Sequence, residues 1–394
     1  MELAPKIAFP QLIVVQPIDK LDYLSYIRGG GRDTDGYLRF SEGRVDNPFA
    51  KFEVEFFNND LVHVRSCQNN KYWERTKNLS LTGSTSTQYW ITATADKKEE
   101  DQSKESCTLF KIVFVNVNSE EKRVRFMHVQ SGCYLRLWKW NNQTYTRCVL
   151  ANHKDYDSQS ADVFTIIDWS SLLILPRYVA FKGDIGSDDH KDALFRPVKV
   201  DDQTIGVSTL TRDAQLRVAE AVLTREIYGV LYDFENARVY NETVLSLDER
   251  TSTNHTQQSS TLDVTLSYSD TKTSSWNTMF SLKLGVTSTM EFKLPLIFEG
   301  KIEMSGEFQS EVEWGKTTVM TTLVEAVHEI TVPPRTEATV TVFATKGMCD
   351  VPFTYLQRDT LLDGRTVISE VQGGIFTGSN YYNIDFVIRE NKLV

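Results

Sequence analysis

From Phe280 to Trp314 the chain holds one apolar–polar alternation for thirty-five residues. Even positions carry Phe280, Leu282, Leu284, Val286, Met290, Phe292, Leu294, Leu296 and Phe298, and the same phase runs on through Ile302, Met304, Phe308, Val312 and Trp314. Odd positions carry Lys283, Glu291, Lys293, Glu299, Lys301, Glu303, Glu307, Glu311 and Glu313 among Ser, Thr, Gly and Gln. Only Pro295 and Ile297 break the odd-side rule. A period of two belongs to strands, whose successive side chains point to opposite faces. Ordinary strands run about five or six residues. Two arms of about fourteen residues around a turn near 295–300 would each reach roughly 45 Å. That exceeds the roughly 9–11 residues that cross a bilayer as a tilted strand.

Two arrangements fit such a pattern. In one, a hairpin lays one face on a core and shows the other to water. In the other, the hairpin leaves its sheet, pairs with hairpins of other protomers and closes a barrel with apolar residues on lipid and polar residues on the lumen. Only a closed barrel satisfies the backbone inside hydrocarbon. The apolar knot Leu294, Pro295, Leu296, Ile297 and Phe298 sits where an ordinary hairpin tip would be polar, and it favours the second. These five residues are the candidate membrane-inserting tip. The nine charged odd positions named above are the candidate lumen lining. Six Glu against three Lys leave three net negative charges per protomer, so a pore of this kind is expected to prefer cations.

The segments around the alternation are strand-like too. Residues 251–278 hold fifteen Ser or Thr in twenty-eight positions, too polar for burial on both faces and suited to a thin, elongated sheet. Most of the chain reads as short runs rich in Val, Ile, Thr, Tyr and Phe, broken by Gly, Asn, Asp and Pro. The one helical spacing is in residues 212–225, with Leu216, Ala219, Val222 and Leu223. The fold class expected is therefore all-β, divided into residues 1–170, a connector over 171–225 with one short helix, and residues 226–394 containing the pre-stem hairpin at about 280–314.

The first part repeats weakly. Each unit opens on an aromatic or apolar run and closes on a Phe-centred strand: Tyr37-Leu38-Arg39 to Phe52, Tyr72-Trp73-Glu74 to Phe110, and Tyr134-Leu135-Arg136 to Phe164. Three such units predict a β-trefoil, in which each copy buries its apolar face against the other two. Aromatic faces stack on the C–H side of a pyranose and amides bind its hydroxyls. Asn69, Asn70, Lys71, Tyr72, Trp73, Trp138 and Trp140 are the candidate carbohydrate-binding residues on that basis.

The run from Arg65 through Asn69-Asn70-Lys71-Tyr72-Trp73 to Arg75, with the Tyr37-Leu38-Arg39 opening and the Ser106-Cys107-Thr108-Leu109-Phe110 closing strand, resembles the agglutinin domain of amaranthin-type plant lectins over about residues 5–170. The resemblance implies a β-trefoil that binds galactose- or N-acetylgalactosamine-type glycans at an interface between domains. Arg225-Glu226-Ile227-Tyr228, Asp233-Phe234-Glu235-Asn236 and His328-Glu329-Ile330-Thr331-Val332-Pro333-Pro334 are similar in layout to the β-pore-forming aerolysin module over about 226–394. That implies an elongated antiparallel module, a homo-oligomeric ring of about seven or eight protomers and membrane insertion of the 280–314 hairpin. The alternative is a cytoplasmic stress or defence lectin whose second module serves only for oligomerisation.

Net charge of −10 excludes nucleic acid as a partner, because that needs clustered Lys and Arg. No nucleophile elbow, zinc-protease motif or phosphate-binding loop is present, and the six His have no partners at ligand spacing, so neither an enzyme nor a cofactor is expected. The acidic loop 187–192 matches no metal-ligand spacing and reads as solvated. Five widely spaced cysteines and no signal-peptide pattern at the N-terminus lead to the expectation of a cytoplasmic protein, membrane-associated once oligomerised.

Overall fold

The computed structural model describes residues 9–29, 34–58, 60–78, 88–116, 122–139, 145–172, 177–183, 193–194, 198–199, 205–206, 216–278, 292–309 and 314–393. These residues contain twenty-five strands and two single-turn 3₁₀ helices, Pro48–Ala50 and Trp169–Ser171. No helix among them is long and apolar enough to cross a membrane.

The first twelve strands are β1 Leu12–Pro17, β2 Tyr23–Tyr26, β3 Leu38–Glu42, β4 Phe52–Phe56, β5 Leu61–Ser66, β6 Tyr72–Asn78, β7 Gln88–Ala95, β8 Phe110–Asn116, β9 Lys122–His128, β10 Cys133–Leu137, β11 Val149–His153 and β12 Phe164–Asp168. Strand β1 pairs with β4 and β12, β4 with β5, β5 with β8, β8 with β9, and β9 with β12. Six strands thus close a barrel without edges. The hairpins β2–β3, β6–β7 and β10–β11 come between them, one per repeat, and touch one another through Tyr37↔Thr92, Trp90↔Leu150 and Arg39↔Cys148. This is the expected β-trefoil arrangement. Its core takes the same position from each copy: Phe52, Phe110 and Phe164 from the closing strands, and Leu38, Trp73 and Leu135 from the openings, all buried.

Five short strands follow: β13 Val179–Gly183, β14 Ala193–Leu194, β15 Val198–Lys199, β16 Ile205–Gly206 and β17 Leu216–Glu220. The helix expected over 212–225 is not formed in its described part. Strand β17 pairs with β13, and the next strand, β18 Val222–Tyr232, pairs with a strand of the second module. Leu216, Val218 and Val222 fit a spacing of two as well as Leu216, Ala219 and Leu223 fit 3.6. The neighbouring backbones that need hydrogen-bond partners decide between them.

The second module continues with β19 Arg238–Asn254, β20 Ser260–Asn277, β21 Phe292–Phe298, β22 Lys301–Gln309, β23 Thr317–Val332, β24 Thr336–Leu361 and β25 Thr366–Lys392. The 26-residue β24 spans about 85 Å, pairs along one side with β18 and then β19, and along the other with β25. Beyond β25 come β20 and β23. At one end the Ser/Thr-rich β20–β23 ribbon lays Val264, Leu266, Tyr268, Ile330 and Val332 over Ala338, Val340 and Val342 of β24. Thr261, Thr265 and Ser269 lie on the solvated side, as the composition suggests, but Ser274 and Ser275 are buried and Val319, Leu323 and Val327 of β23 are exposed. The sequence alternation ends in a separate two-stranded sheet, β21–β22.

Candidate functional site

Two places combine exposed chemistry with built geometry: a cleft where the modules meet, and the seat of the β21–β22 hairpin. The cleft begins at the turn after β5. Asn70 adopts a left-handed φ of 57°, which Asn tolerates well, and this turns its side chain toward the second module. Its amide Nδ2 donates to the carbonyl of Asn236 at 2.7 Å, while Arg65 donates to its Oδ1. Asn69 caps the same turn, accepting from Lys71 N at 3.1 Å and donating to Ala93 O at 3.0 Å. Behind them lies a charge relay that crosses the junction. Arg65 pairs with Glu53 and Glu55, Glu55 lies 3.9 Å from Arg238, and Arg238 pairs with Asp350 at 2.8 Å. Tyr240 and Thr377 also donate to Asp350. Burial pushes the Glu55 carboxyl up, but the hydrogen bond and charge of Lys98, with Tyr72 and Arg65, carry it below the usual carboxylate range.

Between the modules this leaves a cavity of about 400 Å³. One wall is Tyr26 and Phe49, rings 6.0 Å apart, with the Arg28 guanidinium 3.3 Å over Phe49. Asn69 and Lys71 form the floor, and Lys71 is paired with Asp96. The opposite wall is the loop between β18 and β19, where Asp233 accepts from Asn236 N at 3.2 Å and from Asn236 Nδ2 at 2.7 Å. The mixture of aromatic faces, amides and carboxylates suits a small polyhydroxylated ligand.

The candidate carbohydrate-binding residues are therefore divided. Asn69 and Lys71 line the cleft, and Asn70 bonds across it. Tyr72 is buried with its hydroxyl on Glu55, and its pKa is pushed up to about 12 by burial and then by that carboxylate. Trp73 cannot stack on a sugar, which corrects the expectation. It is 0% exposed at the barrel centre, among Phe52, Phe110 and Phe126. Trp138 packs its edge on Trp90 in a separate cluster, and Trp140 lies outside the described residues. Nothing in the sequence pattern marks Tyr26, Arg28 or Phe49, and Asp233 and Asn236 stand out only within the layout of the second module.

The hairpin turns at Glu299 (φ 48°) and Gly300 (φ 76°), two consecutive left-handed residues that make a tight two-residue reversal matching strand twist. The tip is therefore the Glu-Gly pair, and the apolar knot lies before it. Leu294, Pro295, Leu296 and Ile297 are buried, whereas Phe298 is 47% exposed. Leu294, Leu296 and Ile297 sit with Trp276, Cys349, Val351, Phe353 and Phe376 in one apolar cluster. Gly347 makes room: a Cβ there would stand 3.0 Å from Ile297 Cδ1 and from Tyr382 Cε1. Polar contacts tie the described part of the hairpin to the sheet. Ile297 N donates to Asn380 Oδ1 and Asn380 Nδ2 donates to Ile297 O, both at 2.9 Å. Tyr232 donates to Lys293 O at 3.2 Å, and Lys272 pairs with Glu307. Lys293, Glu299, Lys301, Glu303 and Glu307 are exposed, while Lys283, Glu291, Glu311 and Glu313 fall outside the described residues.

Register matters to these residues. Phe298 pairs with Lys301, Leu296 with Glu303, and Lys293 with Phe308. Directly opposed residues share a face. Even positions of one arm therefore share a face with odd positions of the other in the seated hairpin.

No group of His, Cys, Asp and Glu suited to a metal occurs among the described residues, and all five cysteines are unpaired. Two family models match the chain: "Agglutinin domain" over residues 7–168, and "Clostridium epsilon toxin ETX/Bacillus mosquitocidal toxin MTX2" over residues 214–386. No curated protein sequence matches it. Among solved structures the chain is similar to the lamprey immune protein, at 15% identity and a TM-score of 0.35, covering 98% of this chain and 100% of that one. It is also similar to an aerolysin-like protein of Bombina maxima (12% identity, TM-score 0.27, 42% of this chain and 99% of that one). A third likeness is to the parasporin-2 toxin of Bacillus thuringiensis (16%, 0.25, 42% and 74%). The chain thus joins an agglutinin domain to a β-rich module of the ETX/MTX2 toxin family, both of them non-enzymatic families.

Proposed function

We propose that this chain is a glycan-directed pore-forming protein. Its agglutinin domain holds it on galactose- or N-acetylgalactosamine-type glycans, copies assemble into a ring, and the 280–314 hairpin inserts as a transmembrane β-barrel. The observation that carries this reading is the seating of β21–β22. The hairpin is a sheet of its own, packed on the six-stranded sheet but absent from its hydrogen-bonded ladder. Among the described residues, leaving the seat breaks no strand pairing; it gives up side-chain packing, the Asn380 clasp, the Tyr232 bond and the Lys272–Glu307 ion pair. A ring of hairpins returns the lost apolar burial by facing lipid. Five unpaired cysteines support synthesis in a reducing compartment, the cytoplasm.

A lock tests it. Lys272→Cys with Glu307→Cys, in a Cys67→Ser background and closed by a short bis-maleimide, ties the hairpin to β20. Dye release from glycolipid-bearing liposomes should fall to background while agglutination of galactose-coated beads persists. Release by the locked protein, or agglutination without release by the unmodified one, would leave a lectin whose second module only assembles.

A further inference from the structure

Both modules build the cleft, and its second wall stands one residue from the hairpin's hold. Asp233 and Asn236 face the Tyr26–Phe49 wall across about 400 Å³, and Tyr232, next in sequence to Asp233, donates its hydroxyl to Lys293 O of β21. That hydroxyl also accepts from Trp276 Nε1 at 2.9 Å, and the ring lies 5.9 Å from Phe353 and 6.1 Å from Phe376, both in the hairpin's seat. On the cleft side the same loop is held by Asp233 N to Pro352 O at 2.8 Å and by Asn70 Nδ2 to Asn236 O. We propose that the junction cleft is a neutral-saccharide site whose second wall is the 233–236 loop of the toxin-like module, so that sugar occupancy unseats the β21–β22 hairpin through Tyr232. The site rests on the glycan reading above; the coupling is additional to it.

The ligand class follows from the charges. Arg28 and Lys71 already pair with Glu42 and Asp96, so Asp35 and Asp233 leave the cleft net acidic. That disfavours an anionic sugar and suits the donating hydroxyls of a neutral one. Carboxylates and amides accept and donate to hydroxyls, and the aromatic wall offers an apolar surface for C–H groups. The direction follows from the loop. Each Asp233 oxygen accepts one bond from Asn236, so a sugar hydroxyl donating there competes with this internal turn and weakens it. The path from cleft to hairpin runs from the Asn236 side chain to Asp233, and through the chain from Asp233 to Tyr232 and its bond to Lys293 O. A ligand shifts such an equilibrium only as far as its affinity differs between the two states, so the seat has to be only lightly held on this side, as a single hydroxyl–carbonyl bond is.

The test uses the full-length chain with methyl N-acetylgalactosaminide and methyl galactoside as soluble probes. Affinity is read by calorimetry, and hydrogen exchange is followed over 292–309. In the unmodified protein, saturating sugar should raise exchange in 292–309 several-fold. Asp233→Ala and Asn236→Ala should each weaken sugar binding about tenfold, by loss of a hydrogen bond to a sugar hydroxyl. Tyr232→Phe should bind sugar unchanged, show raised exchange without sugar, and gain no further rise with it. Absence of binding by the unmodified protein would bring down the glycan reading and this one together. Sugar binding that leaves exchange in 292–309 unchanged or lowered, or that ignores both loop substitutions, would overturn this proposal alone.

Discussion

At the scale of the residue, Asn380 is the most economical piece of the second module. A two-residue turn makes Phe298 and Lys301 the hydrogen-bonded closing pair, so the next pair, Ile297 and Ile302, is a non-bonded one. The N–H and C=O of Ile297 therefore point away from β22, into a buried seat where no strand runs alongside. Asn380, 3% exposed, supplies the donor and acceptor that a neighbouring strand would have given. Asn380→Ala strands both backbone groups at about 1–3 kcal/mol each. The seated form should lose stability, exchange over 292–309 should rise tenfold or more, and dye release should quicken at unchanged membrane binding. Slower release by this variant would show that the clasp belongs to the inserted form instead. Trp73 shows what was legible at this scale and overlooked. Aligned with its own repeat, it falls where Leu38 and Leu135 fall, a core position, and only the lure of an aromatic beside two Asn suggested a sugar platform.

Among the elements, the strands, their alternation and the trefoil units were readable from spacing alone. The β17–β18 segment was not, because its apolar residues satisfy both periods and its partners are distant in sequence, about 35–40 residues before β17 and about 120–140 after β18. The hairpin was half readable. Alternation cannot reveal how many residues the turn takes, and that number decides which arm positions share a face. Every observed pair in β21–β22 joins an even position to an odd one. Lipid-facing even positions and lumen-facing odd ones on both arms require even to pair with even, which is a one-residue slip. The seated turn must therefore be rebuilt on insertion. Phe298→Cys with Lys301→Cys, about 5.5 Å apart at Cα as a bonded pair, can form a disulfide that fixes the seated turn without tying the hairpin to its sheet. Oxidised, this variant should oligomerise on membranes but release no dye, and reduction should restore release. Phe298→Cys with Ile302→Cys, which closes a three-residue turn, should release dye while oxidised. Release by the oxidised Phe298–Lys301 variant would mean that the inserted hairpin keeps its present register and that the lumen assignments of one arm are exchanged.

In the whole molecule the governing feature is the junction, which no pattern in the sequence announces. Its walls come from residues 26–49, 69–71 and 233–236, brought together only by docking of the two modules. The relay behind it makes the docking dependent on pH in one direction. Glu55 lies between Arg65, Lys98 and Arg238, and its folded-state pKa is below the value it has in an unfolded chain. Its contribution is then complete above the unfolded value, about 4.3. It is lost only as pH falls through the lower folded one. Mild acid of pH 5–6 should therefore leave the modules docked, whereas pH below about 4 should part them. Small-angle scattering across pH 7 to 3 reads this as an increase in maximum dimension, together with hydrogen exchange at residues 233–237. Glu55→Gln keeps the Tyr72 hydrogen bond but removes the charge, so its junction should loosen already at neutral pH and show a flatter acid response. Separation of the unmodified modules at pH 5.5 would place the controlling group elsewhere, on a titration near 6 to which a carboxylate held this low cannot contribute.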